Sequence, residues 1–311
     1  MQKTHPQKPI LLVALGGNAL IQKGQRGTIQ EQFDNLRLPV RQIAALSERY
    51  RIIITHGNGH QVGDLLLQQE ACREVPALPL EILVAQTEGQ IGYMIESTLD
   101  EILMDMGIEF RPLVSLITYV VVDKNDPSFH QPTKPIGPGF TQEEAKRLPY
   151  PTIATPKGYR RVVASPEPIT IIEKREIQKL LEINFIVICC GGGGIPVIRK
   201  GRAFSGVDAV IDKDLASALL AEEVGVDLFL IATDVPGVMI NFGKPNEKLL
   251  RKLTLDEAIR YEKNGEFGTG AMKPKVEAAR RFVKQTGKRA VITSVAAIEK
   301  GVAGIAGTEF V

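Results

Sequence analysis

Tryptophan is missing from the 311 residues, and aromatic residues make up only 5% of them, so the stacking platforms that grip single strands or sugars have little to be built from. Cysteine is scarce as well. Cys72, Cys189 and Cys190 offer no spaced Cys or His ligand pairs, which excludes a disulfide framework and a structural zinc site and leaves reduced, buried thiols as the expectation. Excess charge of one sign is also lacking: 38 Lys plus Arg against 36 Asp plus Glu leave a net +2, too little for a polyanion binder. Nucleic acid is therefore not an expected partner. No run of about 18 apolar residues occurs, and the polar stretch before Ile10 has no apolar signal core, so neither membrane insertion nor export is expected and the predicted site is the cytoplasm.

What is present suits a large core, since hydrophobic residues reach 44% and charged residues 24%. Apolar, often β-branched runs at 10–15, 51–55, 185–190, 227–232 and 289–293 predict buried parallel strands. Between them, 61–72, 81–106, 171–183, 213–224, 255–264 and 275–286 carry apolar residues at helical spacing. A further helix is expected over 28–49, kinked at Pro39. The alternation predicts an α/β fold, an open, mainly parallel sheet sandwiched by helices, with ligands where loops leave the carboxyl ends of strands. Residues 123–168 break the rhythm with nine prolines, which exclude a long helix. Phe129, Phe140, Tyr150 and Tyr159 in that segment favour an ordered lid over a linker.

The strand-end loops hold the candidate chemistry. Gly16-Gly17-Asn18-Ala19 follows the first strand and His56-Gly57-Asn58-Gly59 the second. Glycine lets backbone N–H groups approach an anion, although either loop alone also reads as a tight turn. Gly191 to Gly194 contain more glycine than turning requires, so close passage past a transferring phosphoryl group is the expectation there, with a flexible surface loop as the alternative. Asp212-Lys213-Asp214 opens a helix. Asp212 suits an N-cap and Asp214 the helix dipole, but Lys213 opposes that dipole unless it faces an anion. Thr233 to Val238 leave another strand, and Gly268-Thr269-Gly270-Ala271-Met272-Lys273-Pro274-Lys275 opens a helix, with Lys275 able to reach the crevice.

Other templates fail. No phosphate loop ending in Gly-Lys-Ser/Thr and no protein-kinase signature occurs, and Gly57, Gly59 and Gly63 miss the dinucleotide spacing by one residue. His56 and His60, four apart across a glycine loop, lack a third metal ligand.

Taken in order, Ala14-Leu15-Gly16-Gly17-Asn18-Ala19-Leu20, Thr55-His56-Gly57-Asn58-Gly59, Val122-Asp123-Lys124-Asn125-Asp126-Pro127, Gly191 to Pro196, Val210-Ile211-Asp212-Lys213-Asp214 and Met272-Lys273-Pro274-Lys275 resemble carbamate kinases, a branch of the amino-acid kinase superfamily. The resemblance spans nearly the whole chain. It implies about eight mainly parallel strands, an acceptor-binding lobe over 1–183 with a protruding lid subdomain at 118–168, and a nucleotide-binding lobe over 184–311. It further implies reversible phosphoryl transfer between carbamoyl phosphate and ADP, giving ATP and carbamate, with Mg2+ carried by the nucleotide, no metal ligand among the protein side chains, and a homodimer.

Carried onto this sequence, Lys213 and Lys275 contact the moving phosphoryl group, Asp214 holds both lysines, and Lys124 reaches in from the lid. Gly16, Gly17, Asn18, Gly57, Asn58, Gly59, Gly192 and Gly193 cradle the acceptor end, while Thr233, Asp234, Gly237 and Met272 approach the nucleotide. Ala14 stands where acetylglutamate kinases carry a lysine, which agrees with the carbamate branch. His60 and Lys273 depart from that branch's usual proline and glycine. They keep two alternatives open: another small-acceptor kinase of the superfamily, and a nucleotide-binding regulatory protein without turnover.

Overall fold

The computed structural model describes residues 8–72, 74–108, 111–155, 158–267 and 272–311. Eight strands form the main sheet: β1 (Ile10–Leu15), β2 (Arg51–His56), β3 (Leu113–Ser115), β4 (Ile186–Ile188), β5 (Leu228–Thr233), β6 (Lys252–Leu253), β7 (Arg289–Ser294) and β8 (Thr308–Phe310). Their order is β6-β8-β7-β5-β1-β2-β4-β3. Every pairing is parallel except β7 with β8. The period-two alternation of a strand explains the layers: in β1, Ile10, Leu12 and Ala14 join the core on one face while Leu11, Val13 and Leu15 join the core on the other.

Helices α1 (Ile29–Leu46), α2 (Gln61–Ala71), α3 (Leu80–Asp105), α4 (Lys174–Glu182), α5 (Lys213–Val224), α6 (Leu255–Lys263), α7 (Met272–Thr286) and α8 (Ile298–Val302) complete the chain's principal elements. Residues of α4, α5, α6 and α7 fill the first core, and residues of α1, α3 and α8 the second. Thus the strands found at both faces of the sheet are covered, as the near-continuous apolar runs require.

Helix α1 starts in a capping box made by Thr28 and Glu31 and continues through Pro39; burial of Leu36, Val40 and Ile43 on both sides of the proline offsets the lost backbone bond. Two details differ from the sequence expectation. The stretch expected as helix from 171 begins instead as a strand, Pro168–Ile171, paired antiparallel with Tyr119–Val122, which its β-branched residues favour. Cys72 is exposed, while Cys189 and Cys190 are buried.

The proline-rich segment is ordered. Lys134–Phe140, Thr152–Thr155 and Gly158–Val163 form a three-stranded antiparallel sheet; Pro156, part of the same segment, lies outside the described residues. It docks on α2 through unusually close backbones. A Cβ on Gly63 would lie 2.0 Å from the Gly137 Cα, and the Gly137 N–H donates to the Gly59 carbonyl at 2.9 Å. Arg161 adds an ion pair to Glu70 at 2.7 Å. Strand β4 lies between β2 and β3, so the main sheet continues without a break across residues 183 and 184.

Candidate active site

Helix α5 begins at the carboxyl ends of the central strands because Asp212 caps it, its Oδ1 accepting from the Asp214 N–H at 2.9 Å and the Leu215 N–H at 3.4 Å. The cap turns Lys213 and Asp214 inward. Lys275 arrives from the first turn of α7, one residue after Pro274. Its Nζ donates to Asp214 Oδ2 at 2.9 Å, and Lys213 Nζ lies 2.7 Å from Asp214 Oδ1. All three are buried, at 7%, 2% and 8% exposure for Lys275, Asp214 and Lys213.

The second contact is an ion pair outside hydrogen-bond alignment, so among the described residues the buried Lys213 Nζ meets no acceptor in hydrogen-bond geometry. Leaving such a group unsatisfied is costly, and an anion entering the crevice would satisfy it. Burial pulls the Lys213 ammonium below the usual lysine range, with Asp214 opposing and Lys275 adding to the fall. Burial also acts against charge on Lys275, but Asp214, Asp212 and Asp234 outweigh it and raise that group. Asp214 itself is pushed up by burial and held below the usual carboxylate range by the two lysines. Two cations and one carboxylate at a helix amino terminus leave a net positive seat for phosphate.

The glycine loops meet this cluster. A Cβ on Gly57 would lie 3.6 Å from the Gly17 nitrogen and 3.9 Å from Lys213 Cγ, and one on Gly16 would lie 3.0 Å from the Ala232 carbonyl oxygen. The N–H groups of Gly16 and Gly57 are spent on Ala232 and Leu15, so these two glycines contribute close approach rather than free donors. Gly17 and Asn18 form a half-buried 3-10 turn beside them, and Gly59 ties the lid. Asn58 is buried, its Nδ2 donating to Thr87 Oγ1 at 2.9 Å; it anchors its loop to α3.

Gly192 and Gly193 have φ of 66° and 98°, and their Cβ atoms would strike Asn58 Nδ2 at 2.1 Å and the Ile211 carbonyl oxygen at 2.5 Å. Protein neighbours alone therefore require glycine at both. Thr233 lies at the end of β5 with its hydroxyl 3.0 Å from Asp234 Oδ1, and Asp234 acts on Lys275. Gly237 presses on strand β8, where a Cβ would meet Thr308 Oγ1 at 2.6 Å. Met272 packs on the core at the start of α7. Gly268 to Ala271 lie outside the described residues.

Lys124 is exposed in the turn ahead of Pro127. The lid cation that the fold ties to the cluster is Lys134, whose Nζ pairs with Asp212 Oδ2 at 2.9 Å and holds that carboxyl far below its ordinary range against the effect of burial. His56 was also missed as a group of interest. It is 1% exposed, and burial lowers its pKa from 6.5 to about 4, with the Gly57 carbonyl opposing and Lys213 assisting.

That shift has a measurable consequence. Between pH 6.5 and 4 the unfolded chain takes up a proton on this imidazole and the folded chain does not, so stability from neutral His56 is present above 6.5 and lost as pH falls. Wild-type protein should lose about 3 kcal/mol more than His56→Gln across that range in urea unfolding. Parallel pH curves for the two proteins would contradict the buried, neutral state.

Among the described residues, no three His, Cys, Asp or Glu side chains converge on one point, and Asp212 and Asp214 are committed to lysines. Against known proteins, the pattern of the amino acid kinase family matches residues 9–294. The chain belongs to the amino acid kinase family. Within that family it is 49% identical to the carbamate kinase of Thermococcus kodakarensis, over 97% of this chain and 98% of that one. It is 47% identical to the carbamate kinase of Haemophilus influenzae, over 96% and 95%. Carbamate kinase from Giardia lamblia bound to citric acid matches with a TM-score of 0.92 at 37% identity, covering 98% of each chain. The same enzyme bound to AMP-PNP matches at 0.88 and 39%, again over 98% of each. These likenesses put the chain in the carbamate kinase branch of the family.

Proposed function

We propose that the chain catalyses reversible transfer of a phosphoryl group between carbamoyl phosphate and ADP, giving ATP and carbamate. The observation that carries this reading is Asp214 bridging two buried lysines at the amino terminus of α5. In the direction of ATP formation a β-phosphate oxygen of ADP, already anionic, forms the new P–O bond as the bond to the carbamate oxygen breaks. No proton has to be removed, so the site needs alignment and positive charge rather than a general base.

Lys213 and Lys275 neutralise the charge on the transferring oxygens, and Asp214 fixes their spacing. Gly16, Gly17, Asn18, Gly57, Asn58, Gly59, Gly192 and Gly193 shape the acceptor seat, some by direct approach and others by letting neighbouring loops close together. Thr233, Asp234, Gly237 and Met272 border the nucleotide. Lys134 takes the lid position that the resemblance gives to Lys124.

Mg2+, entering on the nucleotide's phosphates, adds charge neutralisation there. Residues 1–183, with the lid at 118–168, serve as the acceptor lobe and 184–311 as the nucleotide lobe, a division by ligand rather than by a break in the sheet. We place the enzyme in the cytoplasm as a homodimer. Leu38, Tyr93 and Met104, 54%, 64% and 69% exposed on α1 and α3, support an interface there.

The purified protein, given carbamoyl phosphate, ADP and Mg2+, should form ATP, and given ATP and carbamate it should form ADP. Nucleotide binding by calorimetry without transfer in either direction would leave the regulatory alternative. Transfer to other small carboxylate acceptors in place of carbamate would leave the other kinase.

A further inference from the structure

Phosphoryl transfer as derived above leaves two buried titratable side chains without a role. Glu88, in the middle of α3, is 4% exposed. Its Oε2 accepts from the Thr118 N–H at 3.1 Å, and among the described residues its Oε1 meets no partner in hydrogen-bond geometry, with the Gly191 N–H close by. His56 immediately precedes the acceptor glycine Gly57, with its Nδ1 3.3 Å from the Gly57 carbonyl oxygen. A carbonyl oxygen only accepts, so Nδ1 carries the ring hydrogen and Nε2 is left as an acceptor.

Both side chains close on Gly191. A Cβ built there would lie 2.6 Å from His56 Nε2 and 3.0 Å from Glu88 Cγ. Beside them is a cavity of about 50 Å³, lined by His56, Glu88, Ser115, Cys189 and Gly191 among others, large enough for a water. The Glu88 carboxyl and the His56 imidazole thus border one small cavity where residue 56, opening the first glycine loop, meets Gly191 of the other.

We propose that Glu88 donates from Oε1 to His56 Nε2, directly or through water in this cavity, and that this buried strut fixes the two loops and thereby the seat of the carbamoyl group. Glu88 is then a positioning residue, and the inference rests on the carbamate kinase reading. Donation requires the neutral acid. Burial pushes the Glu88 carboxyl well above the usual carboxylate range; the Thr118 and Gly191 N–H groups oppose this, and the Glu173 carboxylate adds to it. The groups that face Glu88 are His56 from β2, Cys189 and Cys190 after β4, and Glu173 ahead of α4. None of the four is positively charged at neutral pH.

Steady-state kinetics test it. Glu88→Ala should raise KM for carbamoyl phosphate about tenfold or more, because the His56 acceptor is left buried and unpaired, while KM for ADP changes less than about twofold. Glu88→Gln, which keeps an N–H donor in place, should restore KM to within about threefold of wild type. If Glu88→Ala does not fold, Glu88→Asp, which withdraws the carboxyl by one methylene, replaces it.

Unchanged KM in every variant would overturn the strut. So would a Gln protein as impaired as the Ala protein, which would mean an ionised carboxylate, or equal rises in both KM values, which would mean general structural loss. If wild type forms no ATP, the enzymatic reading fails instead. The strut is then read from the His56 ring nitrogens by NMR: signals altered in Glu88→Ala and kept in Glu88→Gln support it, and signals identical in all three proteins refute it.

Discussion

Truncating Lys275 to alanine should slow ATP formation by about 10²- to 10³-fold, with the loss in kcat rather than in KM for ADP. The ammonium sits at 7% exposure, 2.9 Å from Asp214, and three carboxylates raise its pKa, so it stays charged across the working pH range. In the transition state, charge spreads over the equatorial oxygens of the moving phosphoryl group, and a fixed cation in a dry crevice gains more there than against either bound substrate. Lys275→Arg should not rescue the rate, because a planar guanidinium cannot reproduce one point donor wedged beside Asp214. Lys213→Ala should show a similar loss. The double variant should lose less than the product of the two, since both lysines work through one carboxylate and one phosphoryl group. Rates from continuous coupling of ATP decide the matter. A fall under about tenfold, or one confined to KM, would remove Lys275 from the transition state.

How much of this was legible beforehand depends on the range over which each signal acts. The four six-residue strands β1, β2, β5 and β7 and helix α5 declare themselves through local pattern, because burial on both faces needs unbroken apolar runs and a helix start needs a cap such as Asp212; the three-residue β4 was legible only because its apolar run extends to Cys189 and Cys190. Lys252–Leu253 and Thr308–Phe310, at one end of the main sheet, are two and three residues long, too short to show a period. Asp212-Lys213-Asp214 could be singled out because its oddity, a lysine in a first helical turn, lies within three residues. Lys134 meets Asp212 across 78 positions, and nothing near either residue encodes that meeting; it follows from how the lid sheet settles on Gly59 and Gly63. The glycines at 191–194 show a different limit. A missing Cβ looks the same whether a phosphate or the side chains of His56 and Asn58 occupy the space, and only the packed neighbours distinguish the two.

Replacing Asp214 with asparagine is the change expected to disturb the most at once. The side chain keeps its shape, but the carboxylate that both buried ammonium groups contact loses its charge, and breaking a buried ion cluster in this way costs about 3–5 kcal/mol. The protein can reduce that cost by shedding a proton. Lys213 is the one to lose it, because burial and Lys275 already lower its pKa and Asp214 was the largest influence in the other direction. Removing a neighbouring carboxylate favours the neutral amine, so the Lys213 pKa moves further down. The alkaline limb of kcat/KM is expected to report this ammonium in the wild type and should therefore shift to lower pH in Asp214→Asn. At a pH above the shifted limb the rate should fall about 10²-fold or more, and lowering the pH should recover part of it. A merely unstable variant would lose activity without moving the limb. An Asp214→Asn protein with the wild-type pH profile and undiminished resistance to urea would show that the two lysines hold their positions and charges without it.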